Sequence, residues 1–158
     1  MEMNLSKELT RERIYLAGPF FNGEQVATQM RMEILCERYQ WPFFSPRLEC
    51  LVTKESSMEM RRQAFFMNVH SIRTCRLVLA NVEGLDTGTI WEMGAAYAYN
   101  RKVVVYSPDP QRKLNLMLAQ GADGFLAGWE AIGNFLRPVS ENNFNWAVME
   151  AKWTKEVF

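Results

Sequence analysis

Residues 76–108 read RLVLANVEGLDTGTIWEMGAAYAYNRKVVVYSP, and their order of patterns decides the fold. RLVLANV (76–82) is a short apolar run of strand length, and KVVVYSP (102–108) is a second one, rich in β-branched residues. Between them lies EGLDTGT, dense in turn-forming residues, followed by a helix expected from about Ile90 to Asn100. Two buried strands joined by a helix make a parallel crossover, and a parallel sheet needs cover on both faces.

The same alternation extends outward in both directions. RIYLAGPFF (13–21) reads as a buried strand ending at a Gly-Pro turn, and residues 22–40 carry helical spacing at Val26, Met30, Ile34 and Leu35, with Asn22 as cap. WPFFSPR (41–47) reads as a short strand leaving into a loop. Residues 56–75 form an amphipathic segment with Ala64, Phe65, Asn68 and Ile72 close to one face. Downstream, KLNLMLAQG (113–121) is a short helix or turn, GFLAG a last edge strand and WEAIGNFLRP a further helix. The expected fold class is α/β: a single-domain, doubly wound, Rossmann-like or flavodoxin-like parallel sheet of about five strands with helices on both faces. Residues 1–158 read as one domain, with 1–12 as an N-terminal extension. The tail from 139 to 158, carrying Phe144, Trp146 and Trp153, is expected to pack on the domain or at a subunit contact.

Composition narrows the function. The 158 residues are 48% hydrophobic and 23% charged, and 18 Lys and Arg balance 18 Asp and Glu. A net charge of zero offers no basic field for a nucleic-acid backbone and no polybasic patch for a membrane, so the expected partner is a small molecule. Cys36, Cys50 and Cys75 are an odd, scattered set without C-x-x-C spacing, which argues against a disulfide framework or a zinc site. His70 is the only histidine, so His-based triads and metal sites are nearly excluded; a packed or surface role in its helix is expected. No apolar run reaches bilayer-spanning length, and MEMNLSKELTRER lacks the apolar core of a signal peptide, so the expected location is the cytosol.

In a parallel sheet ligands bind outside the carboxyl ends of the strands. Three loops are expected to converge there: AGPFFNGEQ, SPRLECLV and EGLDTGTIWE. Gly18 permits a tight turn or a close backbone approach. Phe20 and Phe21 are either core or a stacking surface for a flat heterocycle. The loop has neither the G-x-G-x-x-G dinucleotide spacing nor a phosphate loop with Lys. Arg47 is a candidate for base or sugar contact, or a solvated loop residue. Asp86 and Glu92, with Gly88 between them, are two carboxylates able to divide roles in one site. Each has a plainer reading: Asp86 as a turn residue, and Glu92 as the partner of Thr89 in a T-x-x-E capping box. If Glu92 stands in the first helical turn, the helix dipole favours its ionised form, which suits a carboxylate nucleophile.

IYLAGPFF followed by LDTGTIWEMGAAYAYNRKVVVY, with LNLML at 114–118, resembles the nucleoside 2-deoxyribosyltransferase family over residues 13–136. The resemblance implies that Glu92 is the nucleophile forming a deoxyribosyl-enzyme intermediate, with Tyr15 orienting it and Asp86 binding the sugar hydroxyls. Phe21 would line the base pocket. Asn115 would reach into a neighbouring subunit's site, making the protein a homo-oligomer of at least two subunits. Many members carry Asp where this chain has Asn68, which bears on base preference and on protonation of the leaving group. The implied partners are deoxynucleosides and free nucleobases, with no nucleic acid and no membrane.

Breaking an N-glycosidic bond passes through an oxocarbenium-like state that a positioned carboxylate stabilises and captures, as in retaining glycosidases. That chemistry calls for no metal and no organic cofactor. Two alternatives stay open: a 2-deoxynucleoside 5-monophosphate N-glycosidase with water as acceptor, and a non-catalytic nucleotide sensor. The aromatic GPFFNGE loop favours nucleosides over nucleotides.

Overall fold

The computed structural model describes residues 13–149 and the backbone of 156–157; the N-terminal extension and Trp153 lie outside the described residues. The chain runs β1 (Ile14–Ala17), α1 (Gly23–Arg38), β2 (Phe43–Phe44), α2 (Pro46–Glu49), α3 (Met58–Thr74), β3 (Leu77–Asn81), α4 (Thr87–Ala98), β4 (Lys102–Ser107), β5 (Leu114–Asn115), α5 (Leu116–Gly121), β6 (Gly124–Ala127), α6 (Gly128–Leu136) and β7 (Glu156–Val157). Five strands form one sheet in the order β2-β1-β3-β4-β6, every pair parallel. This is the flavodoxin-like winding, with its reversal between β1 and β3. β5 and β7 make a separate two-stranded parallel ladder.

Side chains alternate along each strand into two cores. Tyr15, Ala17, Val78, Ala80, Val103 and Val105 face α3, α4 and α5. Ile14, Leu16, Leu77, Leu79, Val104 and Tyr106 face α1 and α6. Burial on both faces is why these segments read as unbroken apolar runs. The register sets Ala17 beside Ala80, so the carboxyl ends of β1 and β3 finish level at the switch point.

Helix starts are set by side-chain caps. Asn22 accepts from the Gln25 N–H, and Ser57 from the Met60 N–H. The buried stripe of α1 differs from the expected one: it consists of Gln29, Met32, Glu33 and Cys36, whereas Met30 and Ile34 are exposed. Glu33 can be buried there because it is paired, as described below, whereas the buried Gln29 amide has no hydrogen-bond partner among the described residues. On α3, Ile72 is buried but Phe65 is half exposed, its ring 5.5 Å from Trp91. Part of the C-terminal tail packs on its own domain. The Phe144 ring lies 4.1 Å from Trp41 and 5.0 Å from Phe135, with the Arg76 guanidinium over it. Among the described residues no helix is long and apolar enough to cross a membrane.

Candidate active site

The site grows out of the loop between β3 and α4. After β3 the chain turns through Gly84 and Leu85, both in the left-handed region at φ 72° and 50°. A non-glycine residue there costs about 1 kcal/mol, offset by bonds that hold the turn. The Asn81 side chain accepts from the Glu83 N–H, and the Leu85 N–H donates to the Val82 carbonyl. The turn delivers Asp86 as the N-cap of α4. One Asp86 oxygen, Oδ2, accepts from the Thr89 N–H at 2.8 Å and from its hydroxyl at 3.0 Å.

This arrangement replaces the expected T-x-x-E box. Thr89 gives its hydroxyl to Asp86, α4 begins at Thr87 rather than near Ile90, and Glu92 falls in the second turn instead of the first. The expected dipole effect on Glu92 is therefore overturned. Its carboxyl is raised from 4.5 to about 7, by burial first and the Asp86 charge last, against the lowering effect of the Tyr15 hydrogen bond. Beyond the first turn the helix end has little hold on a charge, so burial wins.

Freed from capping, Glu92 turns to the sheet. The Tyr15 hydroxyl, fully buried on β1, donates to Glu92 Oε1 at 2.6 Å across 77 positions of sequence. Tyr15 is fixed from behind by Phe44, stacked at 5.4 Å and 15°. Burial first and the Glu92 charge second push the phenol far above its ordinary range, so it stays a donor. Cys50, at the end of α2, sits in the same core, and its thiol feels the Glu49 and Glu92 charges. The thiol lies 3.0 Å from Asn68 Oδ1.

The remaining expected residues divide. At Gly88 a Cβ would come 3.1 Å from Asp86 Oδ2, so glycine leaves the carboxylate its place. At Gly18 a Cβ would come 2.7 Å from the buried Gln29 amide, so glycine admits α1 against the end of β1. Phe20 and Phe21 stack on each other at 5.7 Å, Phe21 being 77% exposed. Arg47 is engaged elsewhere. Its Nε and Nη2 reach Glu33 Oε1 and Oε2 at 3.1 and 2.5 Å, and the Ser45 hydroxyl donates to Oε1 at 2.6 Å. A bidentate pair with a buried carboxylate gives Arg47 a structural role. Asn115 is exposed and caps α5 by accepting from the Met117 N–H. Sequence reading missed Cys50, which has no neighbouring motif to mark it. Among the described residues no group of three His, Cys, Asp or Glu is placed to hold a metal.

A carboxylate and its tyrosine partner at the switch point of a parallel sheet define an α/β enzyme of the kind that works on small molecules at strand ends. Residues 14–143 match the nucleoside 2-deoxyribosyltransferase family, and the chain belongs to that family of glycosyl-transferring enzymes. The fold is similar to that of a 2-deoxyribosyltransferase from Bacillus psychrosaccharolyticus, with a TM-score of 0.72 and 28% identity over 84% of this chain and 96% of that one. It is also similar to a conserved protein from Enterococcus faecalis V583, with a TM-score of 0.53 and 21% identity over 63% and 65% of the two chains. A CMP N-glycosidase from Clostridium botulinum shares the fold at a TM-score of 0.54 and 15% identity, over 79% and 96%. No curated protein gives a significant match.

Proposed function

We propose that this enzyme moves 2-deoxyribose between nucleobases by a retaining double displacement, with Glu92 as nucleophile. The observation that carries the reading is the 2.6 Å hydrogen bond from Tyr15 on β1 to Glu92 on α4. In the first displacement a Glu92 oxygen bonds to the anomeric carbon as the N-glycosidic bond breaks. The bonding pair leaves with the base, which takes a proton. In the second, a nitrogen of another base attacks the same carbon as that base gives up a proton to solvent, the Glu92 ester bond breaks, and the carboxylate is restored. Two inversions give net retention. Tyr15, always protonated, holds the unreacting geometry of the carboxylate and eases its ionisation against burial. Asp86 has one oxygen committed to Thr89 and the other open for the sugar hydroxyls.

In this reading the active unit contains more than one copy of the chain, with Asn115, exposed at the start of α5, completing a neighbour's site. The partners are deoxynucleosides and free nucleobases. The test is incubation with one 2-deoxynucleoside, with and without a second free base, while intact mass is followed. Base exchange and a deoxyribosyl adduct that Glu92→Ala abolishes support the proposal. Free deoxyribose released equally fast without an acceptor base points to the N-glycosidase chemistry instead. Near-normal exchange in Glu92→Ala would remove Glu92 as nucleophile.

A further inference from the structure

Asn68 has an amide with two different ends, and Cys50 holds one of them. The thiol is buried against one side of α3, 3.0 Å from Asn68 Oδ1, with Met67 Sδ at 3.6 Å and the Ala64 carbonyl at 3.9 Å. Ala64 and Asn68 are one helical turn apart, so the sulfur sits in the groove between them. A thiol carries one proton and is a poor acceptor. Its shortest contact is an oxygen, so that oxygen takes the proton. Burial, with the charges of Glu49 and Glu92, raises the thiol above its ordinary range and keeps it a donor at neutral pH. The backbone fixes it too: the Cys50 N–H donates to the Pro46 carbonyl at 2.9 Å, closing α2.

With Oδ1 occupied, Asn68 Nδ2 has no hydrogen-bond partner among the described residues, and Asn68 is partly accessible. The planar amide sets Nδ2 on the side opposite Oδ1, away from the sulfur. We propose that Cys50 is a positioning residue that fixes the Asn68 amide with its N–H donors outward, so that the site favours nucleobases presenting an acceptor edge. This rests on the deoxyribosyl-transfer reading above and deepens it. The amide cannot hand over a proton. Its N–H groups instead hold an acceptor atom of the base as the bonding pair arrives there, and the departing base takes its proton from water. A flipped amide would offer Oδ1 and favour bases presenting amino groups.

The test compares kcat/KM for base release from 2-deoxyinosine and 2-deoxyadenosine, which present keto and amino groups at one position. The wild-type enzyme should favour the keto substrate by roughly tenfold, the worth of one well-made hydrogen bond. Cys50→Ala frees the amide to flip and should bring the ratio severalfold toward unity. Cys50→Ser restores a donor at the same place and should return it. Asn68→Asp, which offers only oxygens when ionised, should invert the preference and serves even if Cys50→Ala folds poorly. A ratio unchanged in Cys50→Ala or in Asn68→Asp, or a wild-type preference for the amino substrate, would overturn the inference. Failure of the deoxyribosyl reading looks different: wild-type enzyme that releases no base from either nucleoside.

Discussion

Replacing Glu92 by Gln should make this protein more stable at alkaline pH while removing its chemistry. The carboxyl stands at about 7 in the folded state against 4.5 as its ordinary value, because burial outweighs the Tyr15 hydrogen bond. Between those values the folded chain keeps a proton that the unfolded chain has lost, so stability falls as pH rises. The favourable state is complete below 4.5 and is lost as pH passes through about 7. At about 1.4 kcal/mol per pK unit the full cost is at most about 3.5 kcal/mol. Glu92 keeps a partly accessible edge, and solvent screening reduces that to about 1–2 kcal/mol. Gln removes the charge and still offers an oxygen to the Tyr15 hydroxyl. For a chain of this length the gain is about 3–6 °C in Tm. Thermal melts of wild type and Glu92→Gln across the acid-to-alkaline range should show a gap near zero at the acid end that opens between 4.5 and about 7. A gap that ignores pH, or a variant less stable than wild type at about pH 8, would refute the claim that Glu92 is held against its own ionisation.

Tyr15→Phe leaves Glu92 buried without its donor, so the acid limb of kcat/KM should move to higher pH and stability should fall by about 1–3 kcal/mol; a pH–rate profile with an unmoved limb contradicts this. Gly18→Ala drives a Cβ to 2.7 Å from the Gln29 amide, and a denaturant titration should show a loss of about 1–3 kcal/mol. Arg47→Ala strands the buried Glu33 with only the Ser45 hydroxyl, and about 2–4 kcal/mol should be lost with base exchange per folded molecule retained. Selective loss of turnover in a stable Arg47→Ala would instead return Arg47 to the substrate site. Gly88→Ala should forgo most of the gain of about 1 kcal/mol that Ala brings to a helix, because its Cβ presses on Asp86 Oδ2, and should lower kcat/KM. Full stabilisation with unchanged kinetics would show that Asp86 has room to spare.

The sheet was legible because its strands are buried on both faces, so Leu77–Asn81 and Lys102–Ser107 needed no phase to be recognised. The inward face of α1 was not, since Gln29 and Glu33 stand where an apolar stripe is sought. Glu33 is admitted only by Arg47 and Ser45, partners on a different element that no local periodicity reveals. The pairing of Tyr15 with Glu92 came through resemblance, not spacing, because it depends on β1 and β3 lying side by side. Cys50 stayed hidden for a similar reason: its significance is the side chain it touches on α3.

The start of α4 shows why the two readings of Glu92 competed. Residues 86–92 contain two overlapping caps, Asp86-x-x-Thr89 and Thr89-x-x-Glu92, and one threonine cannot begin both. Asp86 accepts from both the N–H and the hydroxyl of Thr89, so the earlier cap holds the helix. Had Thr89 been the cap, α4 would begin later, Glu92 would fold back on a backbone N–H, and its carboxylate would be committed there. The earlier start places Glu92 one turn deeper, where burial raises its pKa and Tyr15 is the available donor. Asp86 thus fixes the helix and, through it, the neighbouring carboxylate, while its Oδ1 has no hydrogen-bond partner among the described residues. In these seven residues one carboxylate caps the helix, and that choice leaves the other, Glu92, to pair with Tyr15.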